Sequence, residues 1–541
     1  MDNKSLNWEL LQCISRDAPG YEHTKLLEVE NLKDSKGFDV YKYGEDTGEP
    51  GGITIGSYRD KNGELYIAKT KELKHSLVYG NSGRGKSQGY LLNSIMSSNG
   101  SHSMLIMDPK GELSASSYPY LVGKYGCEHV RILNFSQPQY TTATINLFEP
   151  LAEEWVAAER KKDKEKIRKH ILTELRKLTD ILYPIRKCED ESWQTTARKY
   201  ILSMIIALFE DLTLTPADER KTGRKRVLPF QINFASLQEI FSHFSWSTSF
   251  DDKGFLTKRS KSSLAYQLSR SVAFNASTTR ANYLGFIEAC INSYSDPKIQ
   301  QMSMRNTINL EEISEKPQVV FLVYDLSDTA AREWVNKVVA RWLDVLLQKS
   351  HKTSKPLPVN VQFLCDEFPT LEPSEVYPNI LATARSSGIF LSIICQSLKQ
   401  IEAKYPQDHI AMRENCAVHT YLGTNDVLTT RSFIDNMGRM TIVDPEAFVR
   451  GEFHCKEVHV TTEHYLMHEM PQGEAFISLS NSNPIHSRFE LYYKTPEYKR
   501  YETLTIPHPA TVKLDDPSLI YDAPWMHPPK RDTSMDMDDF L

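Results

Sequence analysis

The first strongly patterned segment of the chain alternates apolar and polar residues between positions 51 and 68, with the polar stretch 60–63 in its middle. Alternation around turn residues predicts a β-hairpin. A uniformly apolar run follows at 76–79, and apolar residues then recur at helical spacing from Tyr90 to Ile95. This order predicts a buried strand followed by an amphipathic helix.

Short apolar runs of the same kind recur along most of the chain. They lie at 104–107, 130–133, 319–323, 361–365, 389–395 and 418–422. Runs of this length and composition are typical of strands that are buried on both faces. Because they alternate with helical patterns, the fold class predicted is α/β with a mostly parallel central sheet.

Between residues 151 and 270 the strand signals disappear, and helical periodicity with many charges replaces them. We interpret this as an all-α domain inserted into the α/β domain. After about residue 498 the chain becomes proline-rich and ends in an acidic stretch, which predicts a flexible tail. The predicted boundaries are therefore an N-terminal segment 1–50, the first part of the α/β domain 51–150, the inserted domain 151–270, the second part 271–497 and the tail 498–541.

Composition narrows the class of protein without identifying it. The 541 residues are 40% hydrophobic and 25% charged, which is typical of a folded globular chain. A formal net charge of -6 gives no chain-wide basic signature, so any contact with nucleic acid has to come from local patches or from several subunits. The eight cysteines are scattered, which favours a reducing compartment without a structural zinc site. The longest apolar stretch, 201–209, is about half the ~18 residues of a spanning helix, so no membrane anchor is predicted.

Residues 80–87 match the pattern G-x-x-x-x-G-K-[ST] of a phosphate-binding P-loop. In that pattern the backbone N–H groups surround the phosphates, the lysine reaches the terminal phosphates and the hydroxyl holds Mg²⁺. The loop stands between a predicted strand and a predicted helix, as this mechanism requires. The predicted nucleotide-binding residues are Gly80, Asn81, Ser82, Gly83, Arg84, Gly85, Lys86 and Ser87, with Arg84 either at the nucleotide or in solvent.

A P-loop enzyme also needs a carboxylate at a strand end for the magnesium shell and a second group for the attacking water. Two strand ends compete for this role, at Asp108 and at the pair Asp366 and Glu367. Only the second supplies both groups side by side. We therefore assign Asp366 to Mg²⁺, together with Ser87, and Glu367 to water activation.

The order of further motifs makes the chain resemble the TraG-type coupling proteins of type IV secretion, which are related to the FtsK/HerA translocases. The resemblance covers about residues 50–495. It rests on His75, on the P-loop, on the boxes 108–112 and 146–151, on the helical insertion, on 366–368 and on the glutamine-containing run 393–398.

This resemblance implies a RecA-like P-loop domain that uses ATP and Mg²⁺ and hydrolyses the nucleotide at the interfaces of a ring, a hexamer when active and a monomer in solution before assembly. Arg385 would then act on the nucleotide of a neighbouring subunit, and Gln396 would sense the γ-phosphate. The implied function is to recruit a relaxase–DNA complex and to drive single-stranded DNA into the secretion channel.

Relatives in this family usually carry membrane-spanning helices before the hairpin, whereas the first fifty residues here mix charged and polar residues with apolar ones. We therefore expect a cytoplasmic protein held at the inner face of the bacterial membrane by a separate membrane protein of the channel. The expected docking segment is the N-terminal segment 1–50 or the tail. Two alternatives remain open at this stage. One is an FtsK/HerA-type motor for double-stranded DNA, and the other is a nucleotide-gated docking adaptor with little hydrolysis.

Two basic clusters stand in the predicted insertion. Residues 160–187 hold eleven Lys or Arg against four Asp or Glu, and residues 220–226 hold the second cluster. They fit sequence-independent contacts with DNA phosphates or a nucleoprotein cargo, and they fit a solvated helix face equally well.

Overall fold

The computed structural model describes residues 24–45, 51–185, 191–243, 255–256, 259–273, 277–444, 446–447, 450, 454–502, 517–522 and 526. Residues 1–23 of the predicted docking segment and the acidic end of the tail lie outside the described residues. The chain divides into two compact units. The first is Met1–Ile132, Leu310–Ser327 and Trp342–Pro509, and the second is Leu133–Asn309, Asp328–Arg341 and Ala510–Leu541.

The described part of the chain contains fifteen strands. They are β1 Leu27–Glu28, β2 Phe38–Lys42, β3 Thr54–Arg59, β4 Leu65–Thr70, β5 Ser76–Tyr79, β6 Ser103–Asp108, β7 Val130–Asn134, β8 Val319–Val323, β9 Val361–Cys365, β10 Ile389–Cys395, β11 Val418–Tyr421, β12 Arg439–Val443, β13 Cys455–His459, β14 Glu474–Leu479 and β15 Ile485–Arg488.

The main sheet has the strand order β1-β15-β14-β11-β5-β10-β9-β6-β8-β7 among the described residues. Its centre, from β11 to β8, is parallel throughout, whereas β14 pairs antiparallel with both β11 and β15. The central strands are buried along their whole length, which explains their continuous apolar sequences. The predicted α/β class and mostly parallel sheet are therefore confirmed.

A three-stranded antiparallel sheet, β2-β4-β3, contains the predicted hairpin as β3 and β4. The turn at 60–63 is closed by the side chain of Asp60, which accepts hydrogen bonds from the backbone N–H of Asn62 (2.9 Å) and Glu64 (2.8 Å). A third sheet joins β12 and β13. The strands near the N-terminus and those after residue 438 were not predicted, because they are short or lack a clean alternation.

The α-helices with described bounds are α1 Leu92–Met96, α2 Glu112–Tyr125, α3 Glu149–Ala158, α4 Lys164–Leu182, α5 Glu191–Asp211, α6 Pro216–Thr222, α7 Phe234–Ser242, α8 Leu264–Ala273, α9 Ser277–Asn292, α10 Pro297–Ser303, α11 Thr329–Thr353, α12 Val376–Thr383, α13 Leu398–Lys404, α14 His409–Glu414, α15 Val427–Met437 and α16 Pro496–Lys499. Lys86–Leu91 and Tyr465–Glu469 are π-helical turns. Short 3₁₀ turns include Phe368–Thr370, Ala384–Ser387 and Pro517–Leu519.

The helix after the P-loop differs from the amphipathic helix that the sequence predicts. It begins as the π-helical turn Lys86–Leu91 and continues as α1, in which every residue is buried. Tyr90, Leu91, Leu92 and Ile95 belong to the main hydrophobic core of the first unit. The helix therefore has no solvent-facing stripe, because it packs inside this core, where Phe489 also contacts Tyr90 and Gly89.

The second unit is helical: its described residues between 135 and 309 contain no strand. Phe234 is central to its core, since its ring stacks on Tyr294 at 4.2 Å and meets Trp334 edge-on at 5.2 Å. Part of the stretch predicted as a flexible tail is held here as well. The side chain of Asn233 donates to the carbonyl of Leu519 (2.8 Å), and that of Gln231 donates to the carbonyl of Ser518 (3.0 Å).

In the part of the chain that the structure describes, no helix combines the length and the apolar character needed to cross a membrane.

Candidate active site

The candidate site lies at the carboxyl edge of the parallel strands β5, β10 and β9, which are neighbours in that order. The P-loop follows β5, Gln396 follows β10 and Asp366 follows β9. Parallel strands present their carboxyl ends at one edge of a sheet, so segments far apart in sequence converge here. The N–H of Gly80 donates to the carbonyl of Cys395 (3.0 Å), which fixes the start of the loop against β10.

Two glycines give the P-loop its backbone conformation. Gly83 and Gly85 have φ of 81° and 98°, a region that disfavours residues with a Cβ atom. Gly80 has close neighbours instead: a Cβ there would lie 3.0 Å from Cγ of Lys86 and 3.2 Å from Cβ of Leu422. The glycine spacing is thus explained by backbone geometry and by close approach of the lysine.

Lys86 is the most enclosed polar side chain of the loop, with 6% of its surface exposed. Its ammonium donates to the carbonyl of Gly80 (2.7 Å) and pairs with the carboxylate of Glu367 (3.1 Å). The lysine is therefore held between the P-loop and the acidic strand end. The structure brings these two predicted site residues into direct contact.

Asp366 is buried beside the loop and lies close to Ser87. The hydroxyl of Ser87 donates to Oδ2 of Asp366 at 3.4 Å, whereas Oδ1 of Asp366 is buried without a hydrogen-bond partner. Burial and the adjacent Glu367 carboxylate raise the pKa of Asp366 to about 7, against the opposing effect of Lys86. A buried carboxylate oxygen without a partner is energetically costly, and a cation bound beside it would offset this cost.

Asp108, the other carboxylate at a strand end, is hydrogen-bonded to the helix that follows it. Its Oδ2 accepts hydrogen bonds from the backbone N–H and the hydroxyl of Ser114, both at 2.8 Å. Burial raises its pKa, and these bonds oppose the rise. Asp108 therefore anchors the first turn of α2, which leaves Asp366 as the carboxylate that contacts the P-loop serine.

Glu367 has an unusual backbone conformation for its residue type, with φ of 50°. Its carbonyl accepts hydrogen bonds from the N–H (2.9 Å) and the hydroxyl (2.8 Å) of Thr370. This tight turn reverses the chain directly after β9 and keeps the carboxylate at the loop, 18% exposed. Backbone strain held by surrounding contacts is common at functional sites.

The structure places Gln396 and Arg385 at opposite ends of β10. Gln396 is half-buried next to the loop, and its N–H donates to the side chain of Gln400 (2.9 Å). Arg385 precedes β10 and is exposed. A strand of seven residues spans roughly 20 Å, so Arg385 does not join the site of its own chain.

His75 precedes β5 and lies at the same amino-terminal edge as Arg385. Its Nδ1 accepts a hydrogen bond from the N–H of Leu391 (3.0 Å), and its carbonyl accepts from the N–H of Ala417 (3.0 Å). Burial, reinforced by the charge of Arg385, lowers the pKa of His75 to about 4. The residue therefore joins β5, β10 and the start of β11 as a neutral imidazole, away from the nucleotide edge.

Two segments that the sequence did not single out also contact the P-loop. The N–H of Asn81 donates to the carbonyl of Gly423 (2.8 Å). The guanidinium of Arg84 donates to the carbonyls of Met470 (2.9 Å) and Met467 (3.2 Å). Gly423, Met467 and Met470 bind the P-loop through backbone carbonyls, which the sequence does not reveal. Only the position of Gly423, just after a buried apolar run, could have indicated that it lies near the loop.

The basic cluster at 220–226 is largely engaged inside the second unit. Arg224 pairs with the buried Asp211 (2.7 Å), Arg226 donates to the carbonyl of Leu212 (3.1 Å) and Lys225 donates to the carbonyl of Asp522 (2.7 Å). Arg220 and Lys221 are exposed. Most of this cluster thus stabilises the unit, whereas α4 carries exposed lysines, for example Lys166 and Lys169.

The residues present fit a magnesium-bound triphosphate. Among the described residues no three His, Cys, Asp or Glu side chains cluster in a way that could hold a metal ion alone. Mg²⁺ in nucleotide sites is held by one or two protein oxygens together with phosphates and water, so such a cluster is not needed. The hydroxyl of Ser87 and the unpartnered oxygen of Asp366 are oxygens of this kind, and the backbone N–H groups of residues 80–87 are donors of the kind that phosphate oxygens accept from.

A family model described as "Type IV secretory system Conjugative DNA transfer" matches residues 23–514, most of the chain. The chain belongs to this family. Its curated relatives include two Escherichia coli proteins named "Conjugal transfer protein TraG", 21% and 22% identical over 418 and 420 residues. Each alignment covers 74% of this chain, which spans 60% of the length of these relatives.

Solved structures of family proteins show the same fold. The unbound "Bacterial conjugative coupling protein TrwBdeltaN70" aligns with a TM-score of 0.57 and 15% identity, covering 87% of this chain and 94% of that chain. "Plasmid coupling protein TrwB in complex with ADP and Mg2+" aligns with a TM-score of 0.56 and 16% identity over the same shares. The predicted family and the predicted RecA-like fold with an all-α domain are confirmed.

Proposed function

We propose that this chain is an ATP-hydrolysing coupling protein that recruits a relaxase–DNA complex and drives single-stranded DNA into a type IV secretion channel. The family match supports conjugative DNA transfer rather than an FtsK/HerA-type motor for double-stranded DNA. The structure of TrwB with ADP and Mg²⁺ supports these as ligands of the same fold. The observation that carries the proposal is the convergence of Lys86 with Glu367 and of Ser87 with Asp366 at one edge of the sheet.

When bound, magnesium–ATP supplies the phosphoryl group to be transferred and a divalent charge that offsets the phosphate oxygens. We propose that Ser87 and Asp366 hold the metal and that the N–H groups of 80–87 hold the phosphates. In this structure the ammonium of Lys86 binds the carbonyl of Gly80 and the carboxylate of Glu367. In the nucleotide-bound protein this ammonium would be attracted to the terminal phosphates.

Glu367 is the proposed general base. Its carboxylate lies within hydrogen-bond reach of Lys86, at the mouth of the P-loop, and it is partly open to water. Moving the lysine toward phosphate frees this carboxylate to orient a water molecule and accept its proton. The pairing of Lys86 and Glu367 therefore keeps the base occupied until a nucleotide competes for the lysine.

We further propose that the active form is a ring, a hexamer, in which Arg385 reaches the nucleotide of a neighbouring subunit and Gln396 senses the γ-phosphate. The exposed position of Arg385, about a strand length from its own P-loop, supports action on another subunit. Gln396 follows β10, which lies between the P-loop strand β5 and the strand β9 that leads to Asp366. We propose that the γ-phosphate of a nucleotide bound to the same chain lies at this point.

The proposed partners are single-stranded DNA, the relaxase and the channel proteins, including a separate membrane protein that holds the chain at the inner face of the membrane. The division into an α/β motor domain at 51–150 and 271–497 and a cargo-facing insertion at 151–270 belongs to the same proposal. The exposed lysines of α4 support a contact with a polyanionic cargo.

The test measures nucleotide binding and ATPase rate against protein concentration, without DNA and with single- or double-stranded DNA. We expect wild-type turnover per subunit to rise with concentration and with single-stranded DNA. Lys86→Ala should abolish tight nucleotide binding, whereas Glu367→Gln should bind nucleotide normally and lose a factor of roughly 10²–10⁴ in turnover. Lys61→Ala in the exposed hairpin turn is the matched lysine control and should behave as wild type.

Three results would argue against the proposal. Normal hydrolysis by Glu367→Gln removes the assigned base. Turnover that is absent or independent of concentration and DNA favours a nucleotide-gated docking adaptor. A clear preference for double-stranded DNA favours a translocase of the FtsK/HerA type.

A further inference from the structure

The side chain of Arg84 in the P-loop is bound by backbone carbonyls of a segment nearly four hundred residues later in the chain. Its two terminal nitrogens donate to the carbonyls of Met470 (2.9 Å) and Met467 (3.2 Å). Charged donors form hydrogen bonds about twice as strong as neutral ones, and a guanidinium can satisfy two carbonyls with one rigid group. The side chain is therefore committed to these carbonyls rather than open to a nucleotide.

The carbonyls belong to residues 465–473, which we call the latch segment. It starts as the π-helical turn Tyr465–Glu469, closed by the N–H of Met470 donating to the carbonyl of Tyr465 (2.9 Å). The last carbonyls of a helical turn lack partners within the turn, and a cation satisfies them well. Arg84 thus supplies the missing donors at the end of this turn.

The other end of the latch segment packs on the backbone of the P-loop. A Cβ on Gly85 would lie 3.6 Å from the N atom of Gly473 and 3.5 Å from a methyl group of Leu491. Two consecutive loop residues, Arg84 and Gly85, therefore contact the latch segment, one through its side chain and one through its backbone. The latch segment therefore packs against the two loop residues just before Lys86.

A second segment, at Gly423 and Thr424, also fixes the loop. Asn81 donates from its N–H to the carbonyl of Gly423 (2.8 Å), and its side chain accepts from the hydroxyl of Thr424 (3.3 Å). A Cβ on Gly423 would approach Cδ and Nε of Arg84 to 3.1 Å, so the glycine leaves room for the arginine stem. Between these two supports lie Ser82 and Gly83, which are both exposed.

We propose that Arg84 is a positioning residue: by binding the latch segment it holds the N–H groups of the P-loop in the arrangement that receives phosphate, and it couples the conformation of residues 465–473 to nucleotide binding. This inference rests on the proposed nucleotide site. Coupling between two sites is reciprocal, so nucleotide should stabilise the latch segment as much as the latch segment supports nucleotide binding.

The test compares Arg84→Met, which keeps an apolar stem without donors, and Arg84→Lys, which keeps the charge without the two parallel donors. Arg431→Ala is the matched control, because this exposed arginine pairs with Glu463 (2.8 Å) beside the latch segment but does not reach the loop. Two quantities are measured on the full-length protein: the affinity for a non-hydrolysable ATP analogue with Mg²⁺, and amide hydrogen exchange of peptides covering 80–87 and 465–473.

We expect Arg84→Met to weaken nucleotide binding by about ten- to a hundredfold and Arg84→Lys to lose most of the same factor. Exchange of both peptides should be faster in Arg84→Met before nucleotide is added. Nucleotide should slow exchange of 465–473 in the wild type and in Arg431→Ala, but not in Arg84→Met.

Two outcomes overturn the inference. If Arg84→Lys binds as tightly as wild type while Arg84→Met does not, the charge acts directly on phosphate. If exchange of 465–473 is the same in wild type and Arg84→Met, the latch contact positions nothing. A wild-type protein that binds no nucleotide refutes the proposed function instead, and the exchange comparison without nucleotide still decides whether Arg84 fixes the loop.

Discussion

Replacing Asp366 by asparagine should make the nucleotide-free protein more stable at alkaline pH while it removes the proposed metal ligand. The reason lies in the burial of this carboxylate, which has 6% of its surface exposed and one oxygen without a partner. Asparagine has nearly the same shape and carries no charge. Its carbonyl oxygen can still accept the hydrogen bond from Ser87.

The magnitude follows from the pKa, which burial raises from 3.8 to about 7. Because the folded-state value lies above the unfolded one, the folded protein binds more protons between these pH values, and stability falls as pH rises through that window. One pKa unit corresponds to about 1.4 kcal/mol, so the rise from 3.8 to about 7 means that ionised Asp366 costs the folded state on the order of 4 kcal/mol at pH 8. The asparagine variant avoids this cost, and the two proteins should be nearly equal at pH 4.

Thermal unfolding of wild type and Asp366→Asn, without nucleotide or Mg²⁺, at pH 5 and pH 8 measures the effect. We expect an apparent melting temperature several degrees higher for the variant at pH 8 and a clearly smaller difference at pH 5, using roughly 2–4 °C per kcal/mol. Asp408→Asn, at an exposed carboxylate, is the control. An equal gain at both pH values, or none at pH 8, would refute the reasoning that ionisation in the buried site is the cause.

Three further predictions test other parts of the molecule. His486 lies between Glu28 (2.9 Å) and Glu474 (2.7 Å), which raise its pKa to about 9, so its contribution of ~1–2 kcal/mol should be complete below pH 6.5 and lost as pH rises through 9. Unfolding of His486→Gln across this range should lack that dependence. Arg385→Ala should bind nucleotide as wild type yet lose about 10³-fold or more in turnover at concentrations that favour assembly, measured in the ATPase assay. Phe234→Ala should destabilise the second unit by about 3–5 kcal/mol, measured by denaturant unfolding, with nucleotide affinity of the first unit as the contrasting readout.

The central strands were predictable because their sequences leave little choice. Val319–Val323 and Val361–Cys365 are short, apolar and buried on both faces, and the structure has both strands at the predicted residues. The hairpin was predictable from the turn chemistry at Asp60. The short β1 and the strands after residue 438 were not, since pairing with distant partners, rather than local pattern, determines them.

The site was predictable where side chains carry the chemistry and unpredictable where the backbone does. The P-loop and the acidic pair were visible in the sequence, and the structure brings Lys86 to Glu367. The role of Arg84 depends on the carbonyls of Met467 and Met470, and a carbonyl leaves no mark in the sequence. Likewise the sequence of the basic stretch 220–226 predicts an exposed basic patch, whereas in the structure Arg224 forms an ion pair with the buried Asp211.

The helical unit is assembled from three separate stretches of chain, and this limits how it can be dissected. A recombinant piece cut at residues 151 and 270 would omit Trp334 and Tyr294, leaving the Phe234 ring without its aromatic neighbours. It would also omit Leu519, whose carbonyl receives the Asn233 amide. Studies of cargo binding by this unit therefore need the intact chain with surface substitutions, because an excised piece would report on its own unfolding.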